Sequence, residues 1–463
     1  MKFRTTLILL VILIVALGGV LLVENKSKAV KEKKEQEEML TDLKSGDIEK
    51  LQLISSGQMT ITIQKDEKDN WQITEPLRTQ ADSYEVNSLV ETLANLRSEH
   101  LVDNQPANLE EYGFTQKEVK IWVKGQKEPV SILTGMENPL DGTLYAKRTD
   151  QTKVVLLPGY VKSSLDKKLF DLRSKEIIKF EPKEVQSVEF NSKDLAWKLI
   201  RKGDSWFLTS PLEAMAATSK VESILTNLST LKAKDFLVED KKPEDLKAFG
   251  LDRPDYGLKL TLTDGRELTL SLSQKAEKVQ ATSSLLSQIA EIDSQIITDL
   301  STQVSQLREK KIAQFNSWEV TELNIKKGDK SFSAIKEKSG EKEKPEENWY
   351  LISSSGQKEL ADGSKVESFL RKLEYLEAVD FVDRPEASGK IGLNQPEYEI
   401  TLKVKTEDNK EKLIHLLFGQ KLEAKNQLAV KNSDFNYLFL IDSGSISGWP
   451  AGAEDFKLVA IEN

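Results

Sequence analysis

The feature that most restricts how this chain can fold is an apolar helical stripe that occurs three times. Val86, Leu89, Val90, Leu93 and Leu96 fall at i, i+3, i+4, i+7 and i+10. Val221, Ile224, Leu225, Leu228 and Leu231 repeat the spacing, and so do Val366, Phe369, Leu370, Leu373 and Leu376. Such spacing puts one apolar face on a helix of about three to four turns, enough to cover one face of a sheet. A start pattern precedes each stripe: Asp82 with Glu85, Ser219 with Glu222, Ser364 with Glu367. These pairs read as capping boxes that satisfy the first free backbone N–H groups.

The surroundings of the stripe repeat as well. Each unit opens on a short alternating strand, beginning at Ile48, Val185 and Val320, which are 137 and 135 residues apart. A hairpin follows, and its returning strand begins at Trp71, Trp206 or Trp349. Its tip is short in the second copy, Arg201 to Asp204, while in the third Lys336 to Asn348 is expected to be a solvated insertion. Pro76 and Pro211 are expected to stop two of the returning strands. After the helix come Tyr112-Gly113-Phe114, Phe249-Gly250-Leu251 and Ile391-Gly392-Leu393, where a positive φ is expected at each glycine. The next strand alternates with period 2 in every copy, as Val119/Ile121/Val123, Leu258/Leu260/Leu262 and Ile400/Leu402/Val404.

The first two copies close on a helix ending in DLRSKEI from Asp171 and QLREKKI from Gln306. The third finishes through Trp449-Pro450 and Phe456 without that motif, as terminal repeats often do. The plan is α+β: an N-terminal transmembrane helix followed by tandem repeats of mostly antiparallel sheet with packed helices. The expected division is an anchor at 1–23, a charged spacer at 24–46, and repeat domains at 47–182, 183–315 and 316–463. The Lys/Glu-rich spacer suits either a charged helix with i,i+4 pairs or a flexible stalk.

The anchor rests on Leu7 to Val23, seventeen residues without a charge or proline. At about 1.5 Å per residue they cover about 26 Å, the short end of a bilayer span, and Thr5 and Thr6 can lengthen it. A cleaved signal peptide is the competing reading, with Ser27-Lys28-Ala29 as its small-x-small triplet beyond a charged break. Five lysines from Lys26 to Lys34 follow the span, against Lys2 and Arg4 before it, so counting by the positive-inside rule favours a cytoplasmic body. A leading segment this short more often delivers the remainder across the membrane. The expectation adopted is an extracytoplasmic, single-span protein held to the membrane through residues 7–23.

Chemistry is sparse. With 66 Lys and Arg against 75 Asp and Glu, the net charge of −9 and the mixing of signs disfavour nucleic acid as a partner. The absence of cysteine removes disulfides, thiolate metal sites and cysteine nucleophiles. His100 and His415 are the two histidines; their equivalents in other copies are Asp235 and Asp380, and Ser131, so both read as exposed polar residues. Trp71, Trp206 and Trp349 could stack on a ligand but read as core. Arg173/Lys175 and Arg308/Lys310 recur and read as cations at helix C-termini, with an acidic neighbour as the alternative. No P-loop, G-x-S-x-G, H-E-x-x-H or EF-hand pattern occurs. No catalytic, cofactor-binding or metal-binding residue is expected, and no cofactor.

The assembled pattern, W-x-apolar-x-x-P, the capped V-x-x-apolar-apolar-x-x-L-x-x-L helix, aromatic-G-apolar-x-x-P and L-R-x-K, resembles the bacterial domain-of-unknown-function family 4340. It covers residue 47 to about 456. The first copy departs with Lys117 at the turn proline, and the third lacks the strand-end proline and L-R-x-K. The resemblance implies an N-terminal membrane segment, repeated domains, no established activity and no site residues. It also implies a link to accessory components of ABC-type transport systems of the gliding-motility kind, and hence protein partners, possible transporter components among them. A non-enzymatic envelope scaffold is the expected function; the alternative is a glycan- or lipid-binding protein or a carboxylate-dependent hydrolase of the envelope.

Overall fold

The computed structural model of the chain describes residues 39–57, 59–114, 117–339, 346–353, 355–383, 392–405, 410–422 and 426–458. The expected anchor and most of the spacer lie outside them. Among the described residues no helix is long and apolar enough to cross a membrane.

In the first repeat the strands are β1 (Ile48–Ser55), β2 (Ile61–Lys65), β3 (Trp71–Glu75), β4 (Thr79–Gln80), β5 (His100–Asp103), β6 (Lys117–Val123), β7 (Val130–Glu137), β8 (Leu144–Arg148) and β9 (Val154–Leu157). They form one sheet in the order β4-β3-β2-β1-β6-β7-β8-β9-β5, and every neighbouring pair is antiparallel. Two meanders therefore run outward from the central pair β1 and β6. The helix Ser83–Ala94 leaves one edge after β4 and delivers the chain to the other edge at β5. The second and third repeats each build a nine-stranded sheet in the same order. The chain is thus a tandem α+β repeat protein of mostly antiparallel sheet. Met1–Lys175 and Glu176–Asn463 form two compact units, and the second holds two of the sheets around one continuous core.

The helices are Ser83–Ala94, Thr218–Ser229 and Gly363–Glu374, and each buries the expected stripe: Val86, Leu89, Val90 and Leu93 in the first and their counterparts in the others. Burying such a side chain contributes about 1.5–3 kcal/mol relative to exposure. The caps differ from expectation in two copies. Asp82 accepts from the backbone N–H of Tyr84 and Glu85, as expected. In the third helix the cap is Asp362, which accepts from Ser364 and Lys365, so Ser364 lies inside the first turn. In the second the N-cap is Ala217, which has no capping side chain, and Ser219 is likewise inside. Capping-box spacing fits two phases two residues apart, and only the backbone conformation selects one.

The turn glycines do adopt positive φ, +69° at Gly113, +75° at Gly250 and +76° at Gly392. At Gly392 a Cβ would fall 2.5 Å from the Gln420 nitrogen, so space as well as φ requires glycine. The Lys336–Asn348 insertion is smaller than expected. Strands Lys330–Ser339 and Glu346–Ile352 run well into it, pairing as far as Ser339 with Glu346.

Each repeat receives the chain in the same way. The N–H of Leu40, Ile177 and Ile312 donates to Leu96, Leu231 and Leu376 at 2.8, 3.1 and 3.1 Å. The carbonyls of those three incoming residues accept from Arg148, Ser283 and Asn432 side chains. Each repeat also closes in the same way, because the N–H of Asp82, Ala217 and Asp362 donates to Leu172, Leu307 and Phe456, all at 2.8 Å. Phe456-Lys457 thereby supplies in the third repeat the closure that its missing L-R-x-K motif makes elsewhere.

Candidate functional site

The three hairpin tryptophans are structural. Trp71, Trp206 and Trp349 are all buried. Each faces a basic residue across the hairpin, Lys65, Arg201 and Lys336. Those cations lie 5.3, 4.7 and 5.7 Å from the ring centres. Cation–π contact and side-chain stem together cover the indole. Its Nε1 donates to Asn87 in the first repeat and to Glu222 in the second, both at 2.8 Å. Glu222 also pairs with Arg201 at 2.7 Å, so it orients a tryptophan and an arginine rather than capping its helix. The Trp349 Nε1 has no acceptor among the described residues.

Arg308 is the residue whose role the sequence left least clear. It is only 2% exposed. Its guanidinium lies 3.8 Å from the Phe381 ring centre and 4.3 Å from that of Tyr437, and it pairs with Asp383. The closing arginine of the second repeat is therefore inserted between aromatic rings of the third. Default assignment to the helix C-terminus is corrected here: a planar, weakly hydrated cation can be stacked and paired where an ammonium would stay in water.

His100 is exposed on β5, and His415 pairs through Nε2 with Glu399 at 2.9 Å across neighbouring strands. Lys241 is a cation that patterning did not single out. Burial holds its ammonium below the ordinary lysine range, yet it donates to the Thr282 hydroxyl and to the carbonyls of Ser283 and Leu286. Three acceptor oxygens favour the protonated form and suit a loop clamp better than a nucleophile. Among the described residues no group of three or more His, Cys, Asp or Glu could hold a metal ion.

One concavity is lined by residues of the third repeat. In the second repeat the helix Gln295–Leu300 supplies the Leu300 carbonyl that accepts from Trp197 Nε1 at 3.3 Å. The third has only the turn Ser443–Ile446, and Trp449 fills the core against Phe369, Tyr398 and Phe418 at 5.2, 5.5 and 4.9 Å between ring centres. Beside it opens a cleft of about 1220 Å³ lined by Lys326, Lys327, Lys330, Gln395, Glu399 and Gln420, among others. Lys327 donates to the Tyr398 hydroxyl at 2.6 Å, and Lys326 and Lys330 stand 3.9 and 3.8 Å from Glu399 and Glu454. These lysines and amides give the cleft hydrogen-bonding capacity.

Fold and closures define a tandem-repeat α+β protein whose recurring residues close each repeat on itself. It belongs to the family described as Domain of unknown function (DUF4340), whose model matches residues 71–237 and 206–396, together more than half of the chain. The two matches begin at Trp71 and Trp206, equivalent tryptophans. No curated protein matches. A solved structure, the DNA polymerase III subunit beta from Pseudomonas aeruginosa, shares 10% identity over 85% of this chain and 91% of that chain. Its TM-score is 0.15, and so slight a likeness carries no argument.

Proposed function

We propose that this protein is a non-enzymatic, single-span envelope scaffold that binds other proteins, with components of an ABC-type transport system of the gliding-motility kind as the partners to test first. The observation that carries this reading is the fate of the recurring polar and aromatic residues. Trp71, Trp206, Arg308 and the cap aspartates are all engaged in packing, pairing or closure. A scaffold needs such rigidly built repeats, because a partner surface is useful only if the fold beneath it keeps its shape. The body is placed on the extracytoplasmic side, anchored by residues 7–23. Purification of the full chain in mild detergent tests this: a specific protein recovered at fixed ratio is expected, and recovery of none contradicts it.

The cleft of the third repeat favours one alternative, a binding site for an envelope glycan or a lipid headgroup. Its lysines and amides offer hydrogen bonds to a polar ligand. Saturable binding of cell-wall fragments, lost on Lys327→Ala, would favour that alternative over the scaffold.

A further inference from the structure

Three repeats with one strand order provide an internal control: a residue required by the architecture should recur, and one that serves a partner need not. At the C-terminal end of the helix Gly363–Glu374 the third repeat departs sharply from its siblings. Arg371, Lys372 and Tyr375 stand where the first repeat has Glu91, Thr92 and Asn95 and the second has Thr226, Asn227 and Thr230. Trp318, in the turn Ser317–Glu319, stands where they have Gly46 and Lys183.

These side chains are brought to one place by bonds that are themselves buried. Glu374, 5% exposed, accepts from the backbone N–H of Ser317 at 3.1 Å and so fixes the turn carrying Trp318 against the helix end carrying Tyr375. The incoming segment joins them, since Ala378 donates to the Lys310 carbonyl at 2.8 Å and Lys311 lies 5.1 Å from the Tyr375 ring centre. The display is open to solvent: Trp318 is 66% exposed and Tyr375 64%. Among the described residues Arg371, Lys372 and Lys310 have no carboxylate within ion-pairing distance. All three are exposed.

We propose that this surface, Trp318, Tyr375, Arg371, Lys372, Lys310 and Lys311, is a docking site for an acidic segment of a partner protein. Exposed Trp and Tyr beside Arg are the composition of protein-interface hot spots, and unpaired cations around them select a negatively charged occupant. A membrane surface is disfavoured because the apolar face of this helix, Val366, Phe369, Leu370 and Leu373, is buried in its own core. An interfacial helix needs that face for lipid. The site rests on the scaffold reading and gives it a place and a partner chemistry.

Photo-crosslinking in living cells tests it, using the full chain with Trp318→p-benzoylphenylalanine and, separately, Tyr84→p-benzoylphenylalanine on the first repeat, where Tyr84 is 81% exposed. A discrete protein adduct is expected at position 318, falling about tenfold when Arg371→Glu and Lys372→Glu are added. Far-ultraviolet circular dichroism and the melting temperature should remain those of the parent, since both residues are exposed. An adduct that the charge reversal leaves unchanged, an adduct to lipid, or one of twice the chain mass overturns the proposal. Adducts at position 84 but none at 318 overturn the site and leave the scaffold standing. No adduct at either position, with no partner co-purifying, overturns both.

Discussion

Arg308 and the tryptophans lend themselves to single-residue tests because their surroundings differ in known ways. Arg308→Met keeps much of the side-chain volume and removes the stacked, paired charge. Asp383 is 47% exposed at its side chain and can rehydrate, so the main loss is cation–π contact with Phe381 and Tyr437 plus the pair itself. We expect a loss of about 2–3 kcal/mol in urea unfolding, and a coupling of about 1 kcal/mol to Asp383→Asn in a double-mutant cycle. A loss below about 0.5 kcal/mol would mean that the stacking is incidental. Trp206→Phe and Trp349→Phe form a matched pair. The first removes the indole hydrogen bond to Glu222, which keeps its pair with Arg201, and the second removes no such bond, so the first should cost about 1 kcal/mol more. Equal costs would contradict the hydrogen-bond assignment. Sequence made the burial of these tryptophans legible, because strand phase reports which face a residue takes. It could not show which cation covers each ring or which side chain takes the indole proton, since those depend on register across the hairpin.

At the scale of elements, helix starts offer the clearest experiments. Asp362→Ala should destabilise the chain, and Ala217→Asp, which installs the missing cap, should stabilise it. Urea midpoints of the two variants check both signs. The Ser364 hydroxyl first, and the Lys365 backbone N–H after it, hold the Asp362 carboxyl below its ordinary value of 3.8. A carboxylate depressed on folding stabilises the fold above its unfolded pKa, and that contribution disappears as pH falls through the folded value. The stability difference between wild type and Asp362→Ala should therefore be constant at neutral pH and shrink below about pH 4. A difference unchanged down to pH 2 would place the cap elsewhere. The three helices, the glycine turns and the strand alternation were all readable in sequence, because period and backbone conformation are local properties. The sheet order was not, since which strands become neighbours is decided by contacts far apart in the chain. That Phe456 closes the third repeat as Leu172 and Leu307 close the others was not readable either, because Phe456-Lys457 fills the role with a different motif.

For the molecule as a whole, membrane placement is the expectation most in need of a direct test. Protease added to intact cells or spheroplasts should cleave the body if it lies outside the cytoplasm, and should spare it until lysis if the lysines after residue 23 hold it inside. The larger claim concerns how three copies divide their labour: positions that repeat build the fold, and surfaces that do not repeat bind. One measurement addresses it most directly, the amount of partner protein recovered per folded chain from mild detergent, with thermal stability read on the same samples. Trp206→Phe should lower stability and leave partner recovery per folded chain unchanged. Arg371→Glu with Lys372→Glu should leave stability unchanged and lower recovery about tenfold. The reverse pattern, or recovery that follows stability in both variants, would contradict the account.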